Sequence, residues 1–451
     1  MSEDELRAVI DDPTRRAEVP AVELAEIFLE RLESAGTRLH ATITLTPELA
    51  LAGARRVDEA RARGERLPLD GLPLVLKDNI DVAGVRTTVG SRLFAERVAT
   101  EDAEVTARLR AAGAVVLGKA NMHELAFGAT SQNEAFGHVV NPAARDRIPG
   151  GSSGGSGAAV AADLCVAAIG TDTGGSVRLP ASLCGVSGLR PTYGAVSNRG
   201  VQPVSSSLDT VGPLARSVAD IRSVLAAIAG HDPHDPTSRE GTLELASADS
   251  VSRVGIAESL VERSDPDVAA CVRDVSDVLG ELGATLVPLE LAGWERAVEA
   301  CGRLIRAEAL AVYGEALESH AELLEEGTRR RLRLAADVEA AERDALREER
   351  ERWTAEVEQT LGTIDVLLLP TIPVRAPLAE GADTVATTAA VVPYTHVLSF
   401  AHVPSLSLLC GVDGAGAPVG AQLAAARWRD GLVLDAGKAV QSRTSWHLRR
   451  P

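Results

Sequence analysis

Between residues 72 and 173 short apolar runs alternate with helical stretches, and that alternation limits the fold more than any other feature. LPLVLK, AVVLGKAN and CVAAIGTDT are too short for helices and apolar in consecutive positions, the pattern of buried strands. AEVTARLRAAG and GAAVAADL lie between them and read as helices. SVRLPASLCG follows as a third, with Pro180 in its first turn, where a missing N–H is tolerated. Strand and helix in turn call for an α/β sheet.

The flanks extend this pattern. Residues 1–65 read as helices, because AVELAEIFLERLESAG and ELALAGARRVDEARARGE place apolar residues at i, i+3 and i+4. RVGIAES and TLVPLE suggest strands around a helix, and DVLLLP, PSLSLLCG and APVGAQLA supply later strands before a final helix. Polar residues 230–250 make the best linker candidate. The strands beyond them are too few for a second large sheet, so one domain over 1–451 is expected. Within it lie N-terminal helices (1–65), a core (66–230) and a charged helical cover (290–361).

Composition narrows the function classes. A chain of 451 residues with 45% hydrophobic and 24% charged residues can build a large core. Its 46 basic against 64 acidic residues, net −18, argue against a nucleic-acid footprint. Cys165, Cys184, Cys271, Cys301 and Cys410 are scattered, without CxxC or histidine spacing, so neither disulfides nor a zinc site are expected. The start MSEDELRAVI has no secretory pattern, and the apolar run 157–170 is broken by Asp163 and too short for a bilayer. A cytoplasmic protein without membrane contact is the expectation.

The run PGGSSGGSG, residues 149–157, has three conceivable uses. It lacks the GK[ST] ending of a phosphate cradle and the GxGxxG of a dinucleotide loop. It matches GxSxG formally, but NPAARDRIPG before it is a loop and not the strand a nucleophile elbow needs. A linker does not belong inside a sheet. Twenty-four residues beyond Ser152, the turn Thr171-Asp-Thr-Gly-Gly-Ser176 opens a helix and gathers backbone N–H groups at one point. Such a turn can trap an oxyanion, and Ser176 stands at its end as a nucleophile.

A nucleophilic serine needs a base. His123 and His138 are the histidines near these loops, and each reads equally well as a loop or capping residue. Lysine serves when burial lowers its pKa. The chain has three lysines, Lys77, Lys119 and Lys438, and Lys77 ends an apolar strand.

GLPLVLKDNIDVAG, PGGSSGGSGAAVAADL and GTDTGGSVRLPASLCGVSGLRPTYG, in that order, resemble the amidase signature family of Ser-cisSer-Lys amidohydrolases. GKANMHELAFGATSQN, SSSLDTVGPLARSVADI and PSLSLLCGVDGAGAPVGAQL extend the likeness over most of the chain. The resemblance implies one large twisted mixed β-sheet covered by helices on both faces. It implies Lys77 as base, Ser152 rather than Ser153 as bridge, and Ser176 as nucleophile. The N–H groups of Thr173, Gly174, Gly175 and Ser176 would form the oxyanion hole, with no metal or cofactor. Phe127 and Gly128 match the loop bordering the acyl pocket, and Ser153 joins them as a substrate-side residue. Arg178 matches an arginine that meets a substrate carboxylate in some relatives and is structural in others.

Two departures bear on substrate. NPAARD lacks the tryptophan that often follows this Asn-Pro, and AADVEAAERDAL lacks an aromatic in a DY-like position. With 3% aromatics overall, an aromatic-walled lipid channel is not expected. The leading reading is an amidohydrolase of a small carboxamide, urea-like or aryl amide, as a homodimer. The alternative is the glutaminase component of a tRNA-dependent amidotransferase, working with small partner subunits.

Overall fold

The apolar runs are strands. A computed structural model describes residues 1–245, 251–335, 338 and 340–451, so part of AADVEAAERDAL and the end of the linker candidate lie outside the described residues. Eleven strands form one mixed sheet among the described residues: β1 (Thr42–Leu45), β2 (Pro73–Lys77), β3 (Val115–Ala120), β4 (Ala167–Asp172), β5 (Ser187–Arg190), β6 (Thr210–Ala215), β7 (Arg253–Ala257), β8 (Thr285–Leu289), β9 (Val366–Pro370), β10 (Ser405–Val412) and β11 (Pro418–Ala424). Across the sheet they run β1-β3-β2-β4-β6-β5-β10-β11-β9-β7-β8. The strands after the polar 230–250 stretch therefore complete the same sheet.

β2 lies between β3 and β4 and is parallel to both. Parallel neighbours send their C-terminal ends to one edge, so Lys77 and the turn after Asp172 emerge side by side. β6 pairs with β4 antiparallel, and β7 to β9 form a second parallel group.

Helices cover both faces because both faces are apolar. In β9, Val366 and Leu368 belong to one core, whereas Leu367 and Leu369 belong to the other. Successive side chains on a strand point to opposite sides, so this run needs cover twice. Helices Ala21–Arg31, Val218–Ile228, Pro266–Glu281 and Asp430–Arg443 supply the first core. Helices Trp294–Ser319, Ala340–Leu361 and Pro393–Phe400 supply the second. Trp353 joins two of them by donating Nε1–H to the Val397 carbonyl at 2.7 Å.

Three strands were not legible in the sequence. β1 interrupts the stretch 1–65 read as helical; it is four residues long, half-buried and, among the described residues, paired only with β3. β5 (SGLR) and β6 (TVGPLA) carry Gly, Arg and Pro, which mask a strand pattern. All five cysteines are free and buried, and no helix among the described residues is long and apolar enough to cross a membrane.

Candidate active site

The glycine-serine run is neither linker nor elbow: it lies against the turn that ends β4. Ser153 N–H donates to the Ser176 carbonyl at 3.2 Å. The Ser153 hydroxyl donates to the Thr171 carbonyl at 3.2 Å. His123 N–H donates to the Ser152 carbonyl and Gly155 N–H to the Asn121 carbonyl, both at 3.0 Å. The Gly151–Ser152 peptide is cis, and helix Gly154–Ala161 begins just beyond it.

The glycines permit this closeness. A Cβ on Gly151 would lie 2.8 Å from the Ala129 carbonyl carbon and Thr130 N, and one on Gly155 would lie 2.3 Å from Asn121 O. Backbone atoms cannot yield as a side chain can. Gly155→Ala is expected to cost about 3 kcal/mol, read as an earlier urea midpoint; an unchanged midpoint would show that this contact is slack.

Lys77 is fully buried at the end of β2. Its Nζ lies 2.7 Å from Ser152 Oγ, 2.7 Å from Thr171 Oγ1 and 3.4 Å from the Thr171 carbonyl. Burial lowers its pKa from 10.5 to about 7, with Asp209 and Asp172 opposing from a distance. The neutral amine has two hydrogens for the Thr171 oxygens and a lone pair for the Ser152 hydroxyl. Lys119 differs: it is equally buried but ion-paired with Asp78 at 3.1 Å. Lys438 is exposed on helix Asp430–Arg443.

Neither histidine faces the serines as a base. Burial pushes the His123 pKa down to about 3, and its Nε2 accepts from Arg331 Nη2 at 2.7 Å. His138 Nδ1 accepts the Asn133 N–H at 2.9 Å, a contact within one loop.

The turn after β4 borders a cavity of about 120 Å³, to which Thr173, Gly174 and Ser176 contribute. Gly175 departs from the expectation for the oxyanion donors. Its N–H donates to Asp172 Oδ1 at 2.8 Å and is taken up within the protein. Phe127 and Gly128 do line the cavity, together with Leu179, Val204, Ile305 and Val392.

Arg178 and Ser153 do not line it. Arg178 is fully buried, with Nε and Nη2 on Asp172 at 3.0 and 2.9 Å, Nη1 on Gln422 at 2.7 Å, and Nη2 also on Ser399 at 2.6 Å. With its donors taken by protein groups, the arginine has a structural place in this chain. The pair holds Asp172 ionised, well below the usual carboxylate range despite burial.

Sequence reasoning missed the far wall. Ile305, Arg306, Arg331, Val392 and His396 come from the helical cover and later helices. Burial lowers the His396 pKa to about 4, so its ring is neutral. No local pattern marks these residues, because only the docking of the second helical layer brings them to the serines.

Similarity to known proteins defines the class, an enzyme of the amidase type. A family model described as Amidase matches residues 23–434. The A subunit of glutamyl-tRNA(Gln) amidotransferase from Chloroflexus aggregans is 39% identical, over 96% of this chain and 95% of its own. The native peptide amidase from Stenotrophomonas maltophilia superposes with a TM-score of 0.85 at 31% identity, covering 97% of this chain and 96% of that one. The solved A subunit of the Thermotoga maritima amidotransferase gives 0.75 at 33%, covering 83% of each. The chain belongs to the amidase signature family, whose members act on amide carbon–nitrogen bonds.

Proposed function

We propose that the chain hydrolyses a small-molecule amide through an acyl-enzyme on Ser176, with Ser152 relaying protons to Lys77. The observation that carries this reading is the 2.7 Å contact between a fully buried lysine and Ser152, whose loop hydrogen-bonds the Ser176 backbone. Ser176 Oγ attacks the carbonyl carbon as its proton passes to Ser152 and the Ser152 proton passes to Lys77. The oxyanion is held by N–H groups of Thr173, Gly174 and Ser176. Lys77 returns its proton through Ser152 to the leaving nitrogen, and the C–N bond breaks. Water then attacks the ester; its proton follows the same relay and ends on Ser176 as the acid departs. The apolar wall of Phe127, Leu179, Ile305 and Val392 suits an apolar acyl group.

A second reading has its own support. Curated relatives that match over most of their length include A subunits of glutamyl-tRNA(Gln) amidotransferase, which favours a glutaminase that feeds ammonia to partner subunits. Both readings share the amide cleavage and divide on the substrate. Ammonia release by the purified chain alone, from carboxamides, ureas, aryl amides and glutamine, separates them. Turnover of simple amides without a partner is expected; activity with glutamine alone, and only beside a co-purifying partner, supports the second reading and sinks the first.

A further inference from the structure

The Gly174–Gly175 peptide is held at both ends by side chains, one from three residues upstream and one from a distant helix. Its N–H, on Gly175, donates to Asp172 Oδ1 at 2.8 Å. Its C=O, on Gly174, accepts from the Thr395 hydroxyl at 2.6 Å. The same hydroxyl has the carbonyl of Val392, the N-cap of its helix, within reach at 2.9 Å, and the Gly174 contact is the shorter. Thr395 is fully buried on helix Pro393–Phe400. The fit is tight: Gly175 has a φ of +131°, and a Cβ there would stand 2.3 Å from Thr395 Oγ1.

We propose that Thr395 is a positioning residue for the oxyanion turn, an inference that rests on the acyl-enzyme reading above. A peptide unit is planar, so tying both its N–H and its C=O into the protein fixes the orientation of the whole plane. The flanking donors, Gly174 N–H one peptide before and Ser176 N–H one peptide after, are then aimed by the backbone that this plane anchors. Two adjacent glycines would otherwise rotate easily, and donors that must reorganise during the reaction stabilise developing charge poorly. Thr395 thus acts through the backbone and makes no contact with substrate. Its helix belongs to the second core, which links the packing of that layer to the chemistry at Ser176.

The test uses the full chain, a simple carboxamide that it hydrolyses, and the variants Thr395→Val and Thr395→Ser. Valine keeps the shape and removes the hydroxyl; serine keeps the hydroxyl. Thr395→Val is expected to lower kcat about 10- to 100-fold, with KM within about threefold and the pH midpoint of kcat/KM unchanged. Phosphonylation of Ser176 by a fluorophosphonate, which forms a tetrahedral adduct, should slow by the same factor. Thr395→Ser should restore kcat to within about threefold. A Thr395→Val enzyme with near wild-type kcat, or a loss confined to KM, overturns the proposal while leaving the acyl-enzyme reading intact. So does a Thr395→Ser enzyme as impaired as the valine variant, since packing and not the hydroxyl would then matter. A wild-type chain that neither cleaves amides nor labels at Ser176 overturns the acyl-enzyme reading and this inference with it.

Discussion

Lys77→Met is expected to abolish amide turnover and to change how the stability of the fold depends on pH. In the proposed relay the lysine must be neutral to accept a proton. With a pKa lowered to about 7 by burial, kcat/KM should rise about tenfold between pH 6 and pH 8 and level off above. The stability effect has a definite sign. Between about 7 and 10.5 the unfolded chain binds a proton on Lys77 that the folded chain does not. Wild-type unfolding free energy therefore gains about 1.4 kcal/mol per pH unit in that window relative to Lys77→Met. Below pH 7 both states hold the proton, and the burial of the charged amine weighs fully against folding. Urea midpoints of the two proteins at pH 7, 8 and 9 measure the difference. A constant offset across that range would mean that Lys77 is charged in the folded state, and the relay would lose its base.

Ser176→Ala is expected to reduce kcat about 10⁴- to 10⁶-fold with the thermal midpoint unchanged, because the half-buried side chain stands at the cavity wall. The turn donors and the apolar wall remain, so the residual rate should still exceed that in water. In the wild type, fragment-ion mass spectrometry after fluorophosphonate treatment should place the adduct on Ser176 itself, which shares the Lys- and Arg-free stretch 148–177 with Ser152. Ser152→Ala should retain that nucleophile yet react far more slowly, since the lysine has lost its bridge. An adduct on Ser152, or near-normal turnover by Ser176→Ala, would reverse the assignment of the two serines. Lys77 lies 2.7 Å from Ser152 Oγ, and that contact is the reason to expect relay there and attack at Ser176.

The residues proposed to carry the chemistry sit in local patterns, and those were legible. A lysine closing an apolar strand, a glycine-serine loop and a Gly-Gly-Ser turn opening a helix are each read within about ten residues. The α/β class was legible for the same reason: consecutive apolar residues in β9 must be buried on two sides, whatever the rest of the chain does. The weak strands β5 and β6 were not, since glycine and proline make SGLR and TVGPLA look like turns until neighbours on both sides supply the ladder.

The place of Arg178 is open to two readings in the sequence, because two residues after Ser176 an arginine can face either way. Contacts with Asp172, Gln422 and Ser399 made its place structural, and two of those partners lie over 220 residues away. The motif offers Gly175 as a donor, whereas the carboxylate three residues before it accepts its N–H. Thr395 and the cavity wall from the cover had no signature at all. Motif chemistry depends on near neighbours and survives in one dimension. The orientation of each donor and the shape of the cavity depend on which distant surfaces pack together, and that is settled only when both faces of the sheet are covered.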